Sequence, residues 1–278
     1  DVYKRQYKGL FYIGKVLALL LNILPNKHKR ISKANLELVF PHKTSLQINS
    51  ILRDSLFHSI MNILEAGLVW GKQGYKKKPG FINIKNFSEI ETALSSDKGV
   101  LLFTPHIGNI EIIINFLGQH TNCTVPYTQP KNKALDKVIT NSRNKSGVKM
   151  VDTSISGIKE MLSALKNKKL VAVASDQVPK KGGGIISKFF NNEIYSMTLL
   201  PKLQQRTGCI AYLMYCERKE KGEGFVIHFD RKIDLSSNIQ EGVDKMNNEF
   251  EKCIMKLPGQ YSWEYKKFKR TKLDSIYK

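Results

Sequence analysis

From Phe81 onward, short apolar runs take turns with longer stretches that are apolar on one side only, which predicts strands and helices in alternation. "FINIKN" reads as a strand, and "SEIETALSSD" as a helix opened by a Ser-x-x-Glu capping box at Ser88 and Glu91. "GVLLF" is a buried strand, and "IEIIINFLG" a helix ended by Gly118. Next come a strand "CTVPYTQ", a helix "KALDKVITNSRNKSG", a strand "VKMVD", a helix "GIKEMLSALKNKK" and a buried strand "LVAVASDQ". "YSMTLLPKLQQRTG" reads as a further helix, "CIAYLMYCER" and "GFVIHF" as strands, and "NIQEGVDKMNNEFEKCIMKL" as the closing helix. Such alternation predicts an α/β domain with a mixed, mainly parallel sheet and helices on both faces.

The first part of the chain has a different pattern. Residues 31–70 read as helical with a break at Pro41, and "GKQGYKKKPG" at 71–80 as a hinge. This divides the chain into an N-terminal helical region, 1–75, and an α/β domain, 76–278. Ahead of the helices, "DVYKRQ" is polar, has no methionine and reads as a truncated edge. "YKGLFYIGKVLALLLNILP" then gives an apolar segment, 10–24, interrupted by Lys15 and followed by Lys27, His28, Lys29 and Arg30. A long apolar segment with a basic flank fits a membrane anchor with that flank on the cytoplasmic side, either spanning the bilayer or lying on it; an amphipathic helix buried in the protein is the alternative. No small-residue cleavage site follows, which argues against a signal peptide.

The polar interruption "PHIGNIE" between a strand and a helix is the strongest chemical signal. It puts His106 at the carboxyl end of a strand, where open α/β sheets place ligands. Glu111 follows five residues later, early in the helix, where its carboxylate can face the imidazole and make His106 a general base. The structural alternative has His106 capping the helix while Glu111 complements its dipole.

Charge narrows the partner. The chain carries 45 Lys and Arg against 24 Asp and Glu, a net charge of +21, with an ordinary 41% of hydrophobic residues. This folded, strongly basic protein calls for an anionic partner, a membrane surface or a nucleic acid, with a solvated lysine-rich surface as the alternative. Basic residues are not interleaved with aromatic stacking positions, which disfavours nucleic acid. Cys123, Cys209, Cys216 and Cys253 have neither C-x-x-C nor zinc spacing, so no metal site and no disulfide framework is expected, and a reducing compartment follows. G-x-S-x-G and the P-loop pattern are also absent. A base without a protein nucleophile points to a substrate nucleophile, such as an alcohol attacking a thioester.

"PHIGNIE", with Asn109 inside it, resembles the H-x-x-x-x-(D/E) box of glycerolipid-type acyltransferases, in the H-x-G-N-x-E form of the bacterial lipid A late acyltransferase family. A second block, "YTQPKNKALDKVITNSRNKSGVKMV", is similar at Tyr127, Pro130, Asn132, Asp136 and Arg143. A third matches at Asp176, Gln177, the glycine run, Phe189, Phe190, Ser196, Thr198 and Arg206-Thr207-Gly208, and a fourth at Pro258, Gln260, Trp263 and Lys269. Two features depart from the family pattern: Thr128-Gln129-Pro130 stands where an Arg is usual, leaving Lys131 as a substitute cation, and "YKKFK" replaces an ending richer in Arg and Trp.

This resemblance implies a glycerolipid-acyltransferase-like fold. It also implies transfer of a fatty acyl chain from acyl carrier protein, or coenzyme A, to the hydroxyl of a 3-hydroxyacyl chain on a lipid A precursor. His106 would be the base and Glu111 its partner. No cofactor would be needed, and the enzyme would work at the cytoplasmic face of the anionic bacterial inner membrane. Asn109, Tyr127, Lys131, Asn132, Arg143, Asp176, Gln177, Gly183, Ser196 and Thr198 would bind substrate. Arg143 could instead pair with Asp136 or Asp176, Asp176 and Gln177 could cap a turn, and Gly182 to Gly184 could form either an anion cradle or a flexible loop. A lysophosphatidate-type acyltransferase shares the His-plus-carboxylate box, and a non-enzymatic basic protein binding a membrane surface or nucleic acid would need only the charge.

Overall fold

The computed structural model describes residues 2–70 and 80–278; the expected hinge and the boundary at 75 lie outside the described residues. Three helices come first, α1 (Val2–Ile23), α2 (Lys27–Val39) and α3 (Ser45–Val69). The Asn26 side chain accepts from Lys29 N to start α2, and Thr44 with Gln47 forms a capping box at the start of α3. The α/β part then runs β1 (Ile82–Lys85), α4 (Phe87–Leu94), β2 (Val100–Thr104), α5 (Ile110–His120), β3 (Cys123–Pro126), α6 (Lys133–Ser146) and β4 (Lys149–Val151). It continues through α7 (Ile155–Lys166), β5 (Leu170–Ala174), β6 (Gly184–Phe189), β7 (Asn192–Met197), α8 (Leu199–Thr207), β8 (Ile210–Arg218), β9 (Phe225–Ile233) and α9 (Ile239–Lys256).

Among the described residues one sheet has the order β1-β9-β8-β2-β5-β3-β4, and all its neighbours are parallel except β8 and β9. This is the mixed, mainly parallel sheet expected from the alternation. β2, buried at every position, lies inside it, as a short continuous apolar run should. Side chains alternate between two cores. Leu101, Phe103, Val171 and Val173 face α2, α7, α8 and α9; Val100, Leu102, Leu170 and Ala172 face α1, α4 and α5.

Three expectations about local structure change. Ser88 does not cap α4: Asn86 is the capping residue, in a left-handed conformation, and makes no side-chain bond to the helix. Gly118 does not end α5, which runs on to His120; a Cβ there would lie 2.5 Å from the Ser146 carbonyl oxygen, so this glycine lets α5 pass close to the end of α6. The stretch from Gly184 to Met197 is an antiparallel hairpin, β6–β7, and the helix expected from Tyr195 starts at Leu199. Phe190 and Asn191 turn the hairpin with φ of 47° and 60°, both in the region a tight two-residue turn requires.

No single described helix is long and apolar enough to cross a membrane; α1 and α2 pass that test only together, as a pair bent by 80°. Tyr7, Phe11 and Ala18 bury one side of α1, whereas Tyr12, Ile13, Val16, Leu19, Leu20 and Ile23 are exposed on the other.

Candidate active site

The site forms where β2 and β5 end side by side. Their parallel register pairs Thr104 with Ala174, so continuing both strands by two residues brings His106 next to Asp176. His106 Nδ1 lies 2.5 Å from Asp176 Oδ1, and the His106 backbone N–H donates to Asp176 Oδ2 at 3.1 Å. A carboxylate only accepts, so Nδ1 carries a proton, and in the neutral imidazole the lone pair is then on Nε2. The Gln177 side-chain nitrogen is 3.3 Å from that Nε2.

Burial opposes charge on His106, but the adjacent Asp176 outweighs it and raises the imidazole above its ordinary 6.5. Burial would raise Asp176, yet His106 and the nearby Lys267 hold it down at about 2. Lys267 is itself buried, gives a hydrogen bond to the Asp176 carbonyl oxygen and sits over the Phe189 ring, and burial lowers it to about 8. Burial pushes Tyr261 well above the usual phenol range, with the negative charge of the Asp176 carboxylate adding to the shift.

Glu111 was expected to face His106, and the structure directs it elsewhere. Its carboxylate accepts from Arg143 at 2.5 Å and from the Trp70 indole at 2.9 Å. The physical reason lies in the turn: Asn109 caps α5 by accepting from Glu111 N, and the side chain of the following helix points toward α3 and α6, where Arg143 supplies a guanidinium. Arg143 also lies over the Tyr127 ring, and its ion pair is thus with Glu111 rather than with Asp136 or Asp176. Tyr127 donates to Asp136 at 2.8 Å.

The loop carrying His106 is clamped from behind. Gly108 takes φ of 61°, and a Cβ there would lie 1.9 Å from the Cys216 carbonyl oxygen, so only glycine lets the loop rest on β8. Gly108 N–H donates to Gln260 O, Ser262 N–H donates to His106 O, and the Gln260 side chain grips both backbone groups of Arg218. Asn109 reaches Glu65 at 2.8 Å, which pairs in a fully buried bridge with Arg218 at 2.5 Å and accepts from Tyr7 at 2.5 Å. Glu65, Arg218, Tyr261 and Lys267 were not singled out in the sequence. A lone carboxylate within "NILEAGLVW" and a lone guanidinium closing "YLMYCER" were the available signals, because isolated charges in apolar segments demand partners.

A cavity of about 520 Å³ opens at His106 and is lined mainly by apolar side chains, together with Tyr127, Arg143, Gln177, Lys180 and Gly183. Of the expected substrate residues, Tyr127, Arg143, Gln177 and Gly183 therefore meet at one place. The others do not line it. Asn132 caps α6, Lys131 is exposed to solvent, Ser196 accepts from Asn247 and Thr198 donates to Gly183 O. The glycine run is neither an anion cradle nor a loose loop: the N–H groups of Gly182 and Gly184 donate to the Tyr195 hydroxyl and that of Gly183 to Lys180 O. No cluster of three potential metal ligands occurs among the described residues.

A model of the bacterial lipid A biosynthesis acyltransferases matches residues 7–270 of the chain. The chain is 22% identical over 265 residues to a lipid A biosynthesis palmitoleoyltransferase of Escherichia coli K12, covering 95% of this chain and 86% of that protein. It is 23% identical over 271 residues to a lipid A biosynthesis lauroyltransferase of the same organism, with 95% and 86% covered. A lipid A biosynthesis acyltransferase of Haemophilus influenzae is 25% identical over 275 residues, with 95% and 85% covered.

Proposed function

The chain belongs to the bacterial lipid A biosynthesis acyltransferase family and is an acyltransferase, and we propose that it moves a fatty acyl chain from a thioester donor onto a 3-hydroxyacyl chain of a lipid A precursor. The observation that carries this reading is the His106–Asp176 pair, which holds Nδ1 and leaves Nε2 facing Gln177 at an apolar cavity.

In the reaction the acceptor hydroxyl takes the place of Gln177 beside His106 Nε2. Its proton passes to Nε2 while its oxygen attacks the thioester carbonyl, giving a tetrahedral intermediate. When that intermediate collapses, the C–S bond breaks, the ester remains on the acceptor, and the thiolate leaves and recovers the proton from His106. Asp176 holds the ring through Nδ1 and stabilises the imidazolium formed in passing, as the carboxylate does in a serine-hydrolase triad. Glu111 acts at a distance: by pairing with Arg143 it fixes the wall of the cavity beside Tyr127.

The donor is acyl carrier protein or coenzyme A, and the acidic carrier suits a protein of net charge +21. Working at the cytoplasmic face of the inner membrane is supported by the exposed apolar side of α1 and by Lys27, Lys29 and Arg30 just beyond it. Labelled acyl carrier protein offered together with a lipid A precursor and with lysophosphatidate tests the assignment. Label should enter the lipid A precursor; label in lysophosphatidate alone would make this a phospholipid acyltransferase, and label in neither would refute both.

A further inference from the structure

The cavity at His106 passes through the sheet. β5 stays paired with β2 up to Ala174, and β3 with β4 up to Val151, but β3 and β5 pair only at Cys123–Leu170 and Thr124–Val171. Beyond those positions the sheet splits, and the cavity occupies the split. Its lining therefore comes from both cores. Ile113, Leu117, Val125, Ala172 and Met214 belong to the core beneath α5, whereas Met161 and Val173 belong to the core on the α7 side, with Ile158, Met197 and Leu199 packed against it. Ala172 and Val173 are successive residues, so one strand edge contributes to each arm.

The arms differ in closure. On the α5 side Ile113, Leu117, Val125, Ala172 and Met214 are all buried, so this arm is enclosed by buried apolar side chains. From Ile110 near the mouth to Leu117 the helix advances about 10 Å at its rise of about 1.5 Å per residue. On the α7 side Met161 and Val173 are buried, but Ile158, Met197 and Leu199 are partly exposed, so this arm reaches the surface. Charge differs too: Arg143 beside the α5 arm is neutralised by Glu111, whereas Lys180, near Gly183, is exposed and no carboxylate among the described residues pairs with it.

We propose that the two arms hold the two hydrocarbon chains that meet at His106: the chain being transferred lies in the enclosed arm under α5, and the chain bearing the attacking hydroxyl lies in the partly exposed arm along α7 and β7. This inference rests on the acyl-transfer reading above. A chain delivered by its reactive end has a free tail, which buried apolar walls can enclose. The accepting chain stays joined to an anionic glycolipid, so its arm must open to the outside, with Lys180 beside the phosphate-bearing part. Leu117 and Ala172 are then the residues that set the length of chain transferred.

The experiment uses the full chain and reads two things: binding of a homologous series of free fatty acids, which needs no transfer, and transfer from carrier-protein thioesters of the same series. Leu117→Ala should move both optima to longer chains, by on the order of tenfold in preference per added methylene. Ala172→Val, with a β-branched residue suited to a strand, should move them to shorter chains. Ile158→Trp should raise the KM for the lipid A precursor about tenfold and leave the fatty-acid length profile where it was. A length profile that shifts with Ile158→Trp, or that neither Leu117→Ala nor Ala172→Val shifts in a folded protein, overturns the division of the arms. Fatty-acid binding that follows the Leu117 and Ala172 variants in a protein that transfers nothing would refute the transfer reading and uphold the α5 arm as a fatty-acyl site.

Discussion

His106 Nδ1 and Asp176 Oδ1 stand 2.5 Å apart although 70 positions separate them in the chain. Asp176→Asn removes the negative charge that raises the imidazole and leaves the burial that lowers it. The acid limb of the rate profile should therefore move to lower pH, and the maximal rate should fall on the order of a hundredfold or more, as for a general base that has lost its partner. A pH–rate profile of the purified variant checks both.

The same pair has a stability window. Asp176, held below its ordinary 3.8, stabilises the fold above that pH and loses the contribution as pH falls toward about 2. His106, raised above 6.5, stabilises the fold below that pH and loses the contribution as pH rises through its folded value. The Tm difference between wild type and Asp176→Asn should thus be greatest between about pH 4 and 6.5, measured by calorimetry across that range.

Lys267 gives a prediction of opposite sign. Its ammonium lowers the pKa of His106, so Lys267→Met should move the acid limb to higher pH, and Lys267→Arg should restore it. A merely structural role would change stability without moving the limb.

Glu111 and Arg143 form a partly buried pair, bonded to each other and not to the imidazole. Glu111→Gln should lower stability and raise KM while leaving the acid limb in place, in contrast to Asp176→Asn. Removing Arg143 as well should cost less than the two single losses combined, because neither change then strands a charge. Thermal melts and rate profiles of the two single variants and the double variant test this.

His106 was legible because an apolar strand and an apolar helix meet at a polar corner, a pattern that is local. Its partner was not, because the Asp176 contact depends on the register of β2 against β5, a fact about strands far apart in sequence. Glu111 was the nearest carboxylate along the chain, but the cap at Asn109 and the guanidinium of Arg143 outweighed proximity. The parallel sheet could be read from alternation, whereas the β6–β7 hairpin was hidden because Phe190-Asn191 turns it where Asn-Gly would have announced a turn. Ser196 and Thr198 were singled out in the sequence as substrate residues, and their hydroxyls hold the hairpin to α9 and to the glycine turn.

The apolar side of α1 should bind lipid. Because Ile13 and Leu20 are exposed, Ile13→Glu with Leu20→Glu should spare the fold and weaken sedimentation with anionic vesicles several-fold. Unchanged sedimentation would leave α1 without a membrane role.

If His106 is the base in acyl transfer to lipid A, the initial rate of labelled acyl transfer at saturating donor and acceptor should fall on the order of a hundredfold or more from wild type to folded His106→Ala, with fatty-acid binding retained. A folded His106→Ala protein that transfers at nearly the wild-type rate would contradict it.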